Sequence, residues 1–488
     1  MDGILSFLRN GSRSKRSVNY TPLGGEHDGA DAELDQDPPS MTSSTELLPP
    51  REDRDFDSVR RPIMWFDYTV FLVLGVAMLW AWNCFLAAAA YFQGRFRDNK
   101  TILDTFQSSI MTVSTVTTLL TTLALSHLQR TAHYPRRITC ALIINIVVFI
   151  LLALSTILFT GISAGAYLAF TLVMVLSTAM AAGFFQNGLF AYVGPFGPIY
   201  AQAVMAGQGV AGVLPAIAQM ISVLAIPPRA PEEERSESQQ GPTKPPEASP
   251  KSAFAYFLTA TAVSGAALFL FFILMSRHNA TDKEARDQPN GGGGSSHPIV
   301  DELAEPDAIR EPRKHTSLLT LLRKLPLPAF TIFFTFALTM VFPVFTQAIL
   351  SVNPPSTSVV TRPEVFIPFA FLVWNLGDLL GRVVCGVPGV VCRNPQLLAA
   401  GAAARVLWIP LYLLCNVKGR GARVDSDWFY WVVQVTFGVT NGYIGSSTMM
   451  LGPTLVEEEE VAAAGGFMGL CLVAGLAAGS AASFLLSL

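Results

Sequence analysis

The chain has 488 residues, 51% of them hydrophobic and 14% charged, with a formal net charge of −3. At a mean hydropathy of +0.42, its apolar surface exceeds what one water-soluble core can hide, so lipid must be the solvent for much of it. That excludes a soluble globular protein, and no signature of nucleic-acid binding is present.

Residues 1–61 read as a disordered cytosolic tail. Stretches such as "DGADAELDQDPPS" are too polar to offset ordering entropy, and the tail lacks the apolar core of a cleavable signal peptide. Eleven apolar blocks follow, at 66–92, 103–126, 138–160, 166–193, 198–226, 253–276, 328–352, 365–391, 397–416, 428–452 and 462–486. Each is near or above the roughly 20 residues a helix needs to cross about 30 Å of hydrocarbon. Their length and lack of strict alternation favour helices over barrel strands, because a helix satisfies its own backbone in lipid. The expected fold class is an all-α polytopic membrane protein with eleven transmembrane helices.

Residues 62–276 hold six of these helices and a disordered lumenal or extracellular loop at 227–252, which carries seven prolines. A cytosolic linker at 277–327, containing "NGGGGSS", is expected to be mostly disordered, and five helices follow in 328–488. A six-plus-five split suggests two bundles around a central path, a major-facilitator-like arrangement, by analogy. Twenty Lys and Arg fall on the side of the tail and the long linker against eleven on the other, which puts the N-terminus in the cytosol. Asn99-Lys100-Thr101 forms a glycosylation sequon too near the next helix to carry weight.

Six cysteines without a CxxC, and histidines confined to tails, loops or helix ends, imply neither zinc nor structural disulfides. No cofactor is expected. Prolines 215, 343, 368 and 410 should bend their helices, and Gly465, Gly469, Gly475 and Gly479 permit close helix contact in the last one.

"FLVWNLGDLLGR" (371–382) sets an acid and a base in an apolar run. Asn375, Asp378 and Arg382, at spacings of three and four, share one helix face. A charge at mid-membrane costs at least about 2.5 to 3.5 kcal/mol, so the trio should face the protein interior or a watery cavity. Acceptor carboxylate, five-donor guanidinium and amide together suit a solute with several hydroxyls, with Phe371 as an aromatic wall. The competing reading is a scaffold ion pair. Trp82 and Asn83, Gln186 and Asn187, Gln208, and Asn441, Tyr443 and Ser446 are further polar or aromatic positions; each alone reads as interhelical glue, jointly as a pocket lining. Arg405 reads as a structural or snorkelling residue and "VEEEE" (456–460) as a solvated run.

At these stretches the chain resembles the equilibrative nucleoside transporter family, and its fungal branch in particular, from about residue 62 onward. The motifs are "WNCFLAAAAYF", "QNGLFAYVG", "MAGQGVAG", "WNLGDLLGR", "TNGYIGSS" and "AGGFMGLCLVAGLAAGSAASF". The resemblance implies Asp378 and Arg382 at the sugar of a nucleoside and Gln186 at the base. It also implies Trp82 and Asn83 lining or supporting the cavity. Departures are Ala81, where many relatives have Pro, and Leu379, where many have Trp.

The expected function is facilitated diffusion of purine and pyrimidine nucleosides, with nucleobases as a further substrate class, by alternating access. The substrate-contacting set is Trp82, Asn83, Gln186, Phe371, Asn375, Asp378, Arg382 and Asn441. Partners are the nucleosides and the lipid bilayer. No GxxxxGK[ST] loop is present for ATP. The arginine beside Asp378 favours the charged carboxylate and argues against a proton carrier; proton-coupled symport is the alternative. A receptor or a membrane-embedded enzyme is the alternative of another class, though HExxH and clustered intramembrane carboxylates are lacking. A vacuolar or endosomal membrane is favoured over the plasma membrane by resemblance.

Overall fold

A computed structural model describes residues 63–128, 132–159, 161–225, 250–286 and 316–487. The tail at 1–61 and most of the 227–252 and 277–327 loops lie outside the described residues. The rest is almost wholly helical: α1 (Trp65–Ala87), α2 (Ala89–Phe96), α3 (Lys100–His127), α4 (Tyr134–Leu158), α5 (Ala164–Val193), α6 (Pro198–Ala225) and α7 (Pro250–Arg286). Then come α8 (Leu318–Lys324), α9 (Pro326–Thr339), α10 (Val341–Ala348), α11 (Pro363–Val384), α12 (Pro395–Ala404), α13 (Trp408–Leu413), α14 (Asp427–Leu451) and α15 (Val461–Ser487).

Ten helical spans among the described residues are long and apolar enough to cross a membrane, with α1–α2, α9–α10 and α12–α13 each counting as one. The expected tenth crossing forms α14, of 25 residues, but stands outside those ten because Gln434, Thr436, Thr440 and Asn441 dilute its apolar content. Outward side chains such as Phe269 and Leu397, 66% and 64% exposed, form the surface that lipid would cover. Two boundaries differ from the sequence reading. The sixth crossing continues through Arg286, because "SRHNATDKEAR" has ample helix formers and lacks Pro and Gly. Within the expected linker, Leu318–Lys324 is helical, capped by Ser317. Asn99 of the sequon serves as the N-cap of α3, accepting from the Ile102 amide at 3.2 Å.

Glycines set how closely the helices approach. A methyl group on Gly207 would lie 2.0 Å from the Leu72 carbonyl oxygen, and one on Gly75 2.2 Å from that of Val204, so α1 and α6 touch backbone to backbone. On α11 and α14 the pairs Gly377 and Gly381, and Gly438 and Gly442, interlock in the same way; a methyl on Gly442 would meet the Asp378 carbonyl at 1.9 Å. In α15, Gly465 lies against Phe190 of α5, and Gly475 and Gly479 against Phe333 and Ala337 of α9, as their spacing suggested; Gly469 has ordinary clearance.

Pro215 and Pro368 stay within continuous helices. Pro343 and Pro410 instead follow breaks. A proline ring crowds the carbonyl four residues earlier and kinks or breaks a helix there, and that position is Thr339 in one case and Val406 in the other. Accordingly α9 ends at Thr339, and the α12–α13 span passes through a 3-10 turn at Arg405–Leu407.

The crossings meet at two faces. One gathers the starts of α1, α6 and α15 and the ends of α5, α7 and α11. Tyr200 bonds the Met64 amide at 3.3 Å, Asp67 meets His278, and Gly194 packs on Val461. This is the Trp65 face. At the other, Arg95 donates to the Ile162 carbonyl at 3.0 Å and Tyr91 meets Tyr167 at 3.3 Å.

Gly442→Val should cost about 1 to 3 kcal/mol through overpacking and lower the melting temperature in detergent. Gly265→Ala, with open space around its position, should leave that temperature unchanged; thermal unfolding of the purified protein compares them.

Candidate functional site

The close contact of α11 with α14 brings three side chains of the sequence-predicted set together. Asp378 Oδ2 accepts from Arg382 Nε at 2.7 Å, and Asp378 Oδ1 accepts from Asn441 Nδ2 at 2.7 Å. Asp378 and Arg382 are each 5% exposed and Asn441 1%. The pair faces the protein interior, as the cost of a charge in lipid requires, and its hydrogen bonds are made to protein groups.

The guanidinium of Arg382 also crosses to α6. Its Nη1 donates to the Met205 carbonyl at 2.9 Å and to Gln208 Oε1 at 3.2 Å. Space for that reach comes from Gly209, where a methyl would lie 3.0 Å from the Arg382 side chain. Returning the contact, Gln202 of α6 donates its amide to the Arg382 carbonyl at 2.9 Å and is itself held by the Tyr68 hydroxyl at 2.9 Å. One arginine thus ties the fifth crossing to the eighth through side chain and backbone together.

Behind Asn441 stand Thr339, which sequence reasoning missed, and Arg405, which it read as a structural or snorkelling residue. Thr339 donates to Asn441 Oδ1 at 2.6 Å, and Arg405 Nη2 donates to the same oxygen at 3.1 Å. Both sit at the helix breaks ahead of Pro343 and Pro410. Arg405 does not snorkel: it is 1% exposed. The available signal was its isolation as the single charge in its apolar block, with a proline five positions on.

The other expected residues occupy the surroundings. Asn83 of α1 donates to the Ala211 carbonyl of α6 at 2.7 Å. Asn375 bonds back to the Phe371 carbonyl at 2.8 Å and abuts Gly212. Phe371 packs on Phe342 at 5.1 Å between ring centres. Gln186, on α5 beside Gly469 of α15, is buried with its Nε2 lacking a hydrogen-bond partner. Trp82 lies between α1 and α3, near Phe85 and Phe106. The contacts that unite Asp378, Arg382 and Asn441 do not extend to Gln186 or Trp82. Asn187, next to Gln186, belongs to a separate cluster with Arg137 and Ser126.

Two acids that the sequence reading placed in water or passed over are buried at the Trp65 face. Asp67, 3% exposed, pairs with His278 at 3.1 Å. Glu460, 3% exposed, takes two bonds from Lys324 at 2.7 and 2.8 Å, so the last residue of "VEEEE" is not solvated. Tertiary packing at helix ends buries them, which composition does not register.

A family model described as "Nucleoside transporter" matches residues 171–488. The chain belongs to the nucleoside transporter family. Nucleoside transporter FUN26 of Saccharomyces cerevisiae is 29% identical over 456 residues, taking in 87% of this chain and 85% of the relative. Equilibrative nucleoside transporter 1 of Mus musculus is 28% identical over 472 residues, taking in 86% and 96%. Among solved structures, the major facilitator superfamily proton:xylose symporter XylE superposes with a TM-score of 0.55 at 8% identity, over 86% of this chain and 87% of that one. That likeness is one of fold: this nucleoside transporter family member is a multi-pass helical membrane protein with major-facilitator-like architecture. The family is one of transporters, not enzymes, in agreement with the resemblance read from the motifs.

The Gln202 bridge closes the Trp65 face beside Cys385, which is 2% exposed and one residue from Gly386, itself packed on Gln202. Gln202→Leu should open that seam and speed alkylation of Cys385 several-fold, followed by peptide mass spectrometry, while labelling of exposed Cys140 stays constant.

Proposed function

We propose that this protein moves purine and pyrimidine nucleosides across its membrane by facilitated diffusion, exposing one central site to each side in turn. The moving parts are the bundles 62–276 and 328–488, with eleven crossings including α14 and the N-terminus in the cytosol. The observation that carries this reading is a buried carboxylate–guanidinium pair at the junction of the bundles, with the guanidinium shared between them. Asp378, Asn441, Thr339 and Arg405 all belong to the second bundle, whereas Arg382 also bonds to α6 of the first.

When the Trp65 face opens, Arg382 gives up the Met205 carbonyl and Gln208. A vicinal diol fits what is released: one hydroxyl donates to the carboxylate and another accepts from the guanidinium. The base lies toward Gln186, whose unpartnered amide nitrogen supplies a donor, with Trp82 and Phe371 as walls and Asn83 and Asn375 steadying the neighbouring helices. Downhill movement suits a site whose acid is engaged by two donors and a chain lacking an ATP loop. By resemblance to the fungal branch, the proposed location is the vacuolar or endosomal membrane, which imaging of a tagged chain tests.

Asp378→Asn preserves shape while removing the charge. In proteoliposomes it should abolish uptake and counterflow of labelled uridine and adenosine with monodisperse protein still recovered. Full retained uptake would remove the site assignment, and wild-type uptake that rises with an imposed inward proton gradient would replace facilitated diffusion by symport.

A further inference from the structure

Arg405 is the most deeply buried charge among the described residues, at 1% exposed. No carboxylate among them lies within ion-pair distance of it, although a buried cation without a counter-ion is costly. Its guanidinium is covered by the Phe437 ring at 4.3 Å and donates to the Phe437 carbonyl at 3.0 Å, to Thr440 at 2.8 Å and to Asn441 Oδ1 at 3.1 Å. Its hydrogen bonds lead to a carboxylate, Asp378, through the single amide of Asn441.

That amide has two ends, and which one faces Asp378 matters. An asparagine oxygen turned toward a carboxylate would repel it, whereas the NH2 donates to it. Thr339 and Arg405 both donate to Asn441 Oδ1, and this leaves Nδ2 facing Asp378 Oδ1 at 2.7 Å. The breaks ahead of Pro343 and Pro410 carry these two donors on different segments, so two independent backbone irregularities converge on one atom.

We infer that Arg405 is a positioning residue for the substrate site: it fixes the Asn441 amide against Asp378, so that the acid keeps one aligned donor and a second nearby cation when Arg382 leaves α6. This rests on the reading of Asp378 as the sugar contact. The relay lies wholly within the second bundle and therefore travels with Asp378 as the bundles rock. Arg382, by contrast, exchanges partners.

The test measures uptake of uridine and of 2′,3′-dideoxyuridine by proteoliposomes, and takes the ratio of Vmax/KM for the two. Arg405→Met should lower that ratio roughly tenfold, within the usual coupling for residues of one hydrogen-bond network. The change should fall mainly on the KM for uridine, with dideoxyuridine uptake retained. Arg405→Lys should restore part of the ratio. In an Asn441→Leu background, Arg405→Met should add less than about threefold, since the relay is already cut. Thr339→Val, which loses the other donor to the same oxygen, should shift the ratio in the same direction and serves if Arg405→Met does not fold. Equal loss for both substrates in the Arg405 and Thr339 variants would show a purely structural role and overturn the inference. An unchanged ratio in Asp378→Asn would instead overturn the sugar-contact reading on which it rests.

Discussion

A carboxylate at membrane depth must be matched by donors, and the packing around Asp378 answers to that requirement. Buried in the protein interior, it is matched by Arg382 one turn away and by Asn441 across the helix interface. For Asn441 to reach Asp378, α11 and α14 must approach more closely than ordinary side chains allow. Gly377, Gly381, Gly438 and Gly442 make that possible. Gly209 does the same on α6, baring the backbone so that the Met205 carbonyl can take a bond from Arg382. Charge pairing and glycine placement are therefore one design: the acid needs its partners, and the glycines bring them within reach.

The distribution of these contacts suits a carrier. Within the second bundle the network is dense and backed by two helix breaks that aim Thr339 and Arg405 inward. Between the bundles it depends on hydrogen bonds at the Trp65 face to the Met205 and Arg382 carbonyls and to the Gln208 side chain, made by Arg382 and Gln202, together with the contacts of α15 through Gly465 with α5 and through Val461 with Gly194 just after α5. Hydrogen bonds of this kind are directional and exchangeable. Water or a hydroxylated solute can replace them at modest net cost, whereas the interlocked glycine seams inside each half have no such substitute.

The pairs at the edge of the same face, buried Asp67 with half-buried His278 and buried Glu460 with half-buried Lys324, anchor helix ends. Lys324 closes the short α8 helix that precedes the seventh crossing, so the chain leaving the long linker is tied to the start of the last helix. These pairs join elements far apart in sequence and hold the face at which the seams meet.

Membrane class, the positions of ten long apolar helical spans, the candidate acid and base and the glycine seam of the last helix were legible in the sequence. They are local properties: run length, helical spacing, and the penalty for a charge in an apolar run. Family membership was legible for a similar reason, since its motifs are short contiguous strings. The partners of that acid and base were not. Arg405 and Thr339 meet Asn441 from segments 36 and 102 residues away, and Gln202 reaches Arg382 across 180. Such distances in the chain are closed by helix packing and proline-made breaks, so the tertiary structure alone decided which polar side chains share a network. It also decided which acids near helix ends, Asp67 and Glu460, are buried, because burial there depends on neighbours that spacing along one helix does not specify.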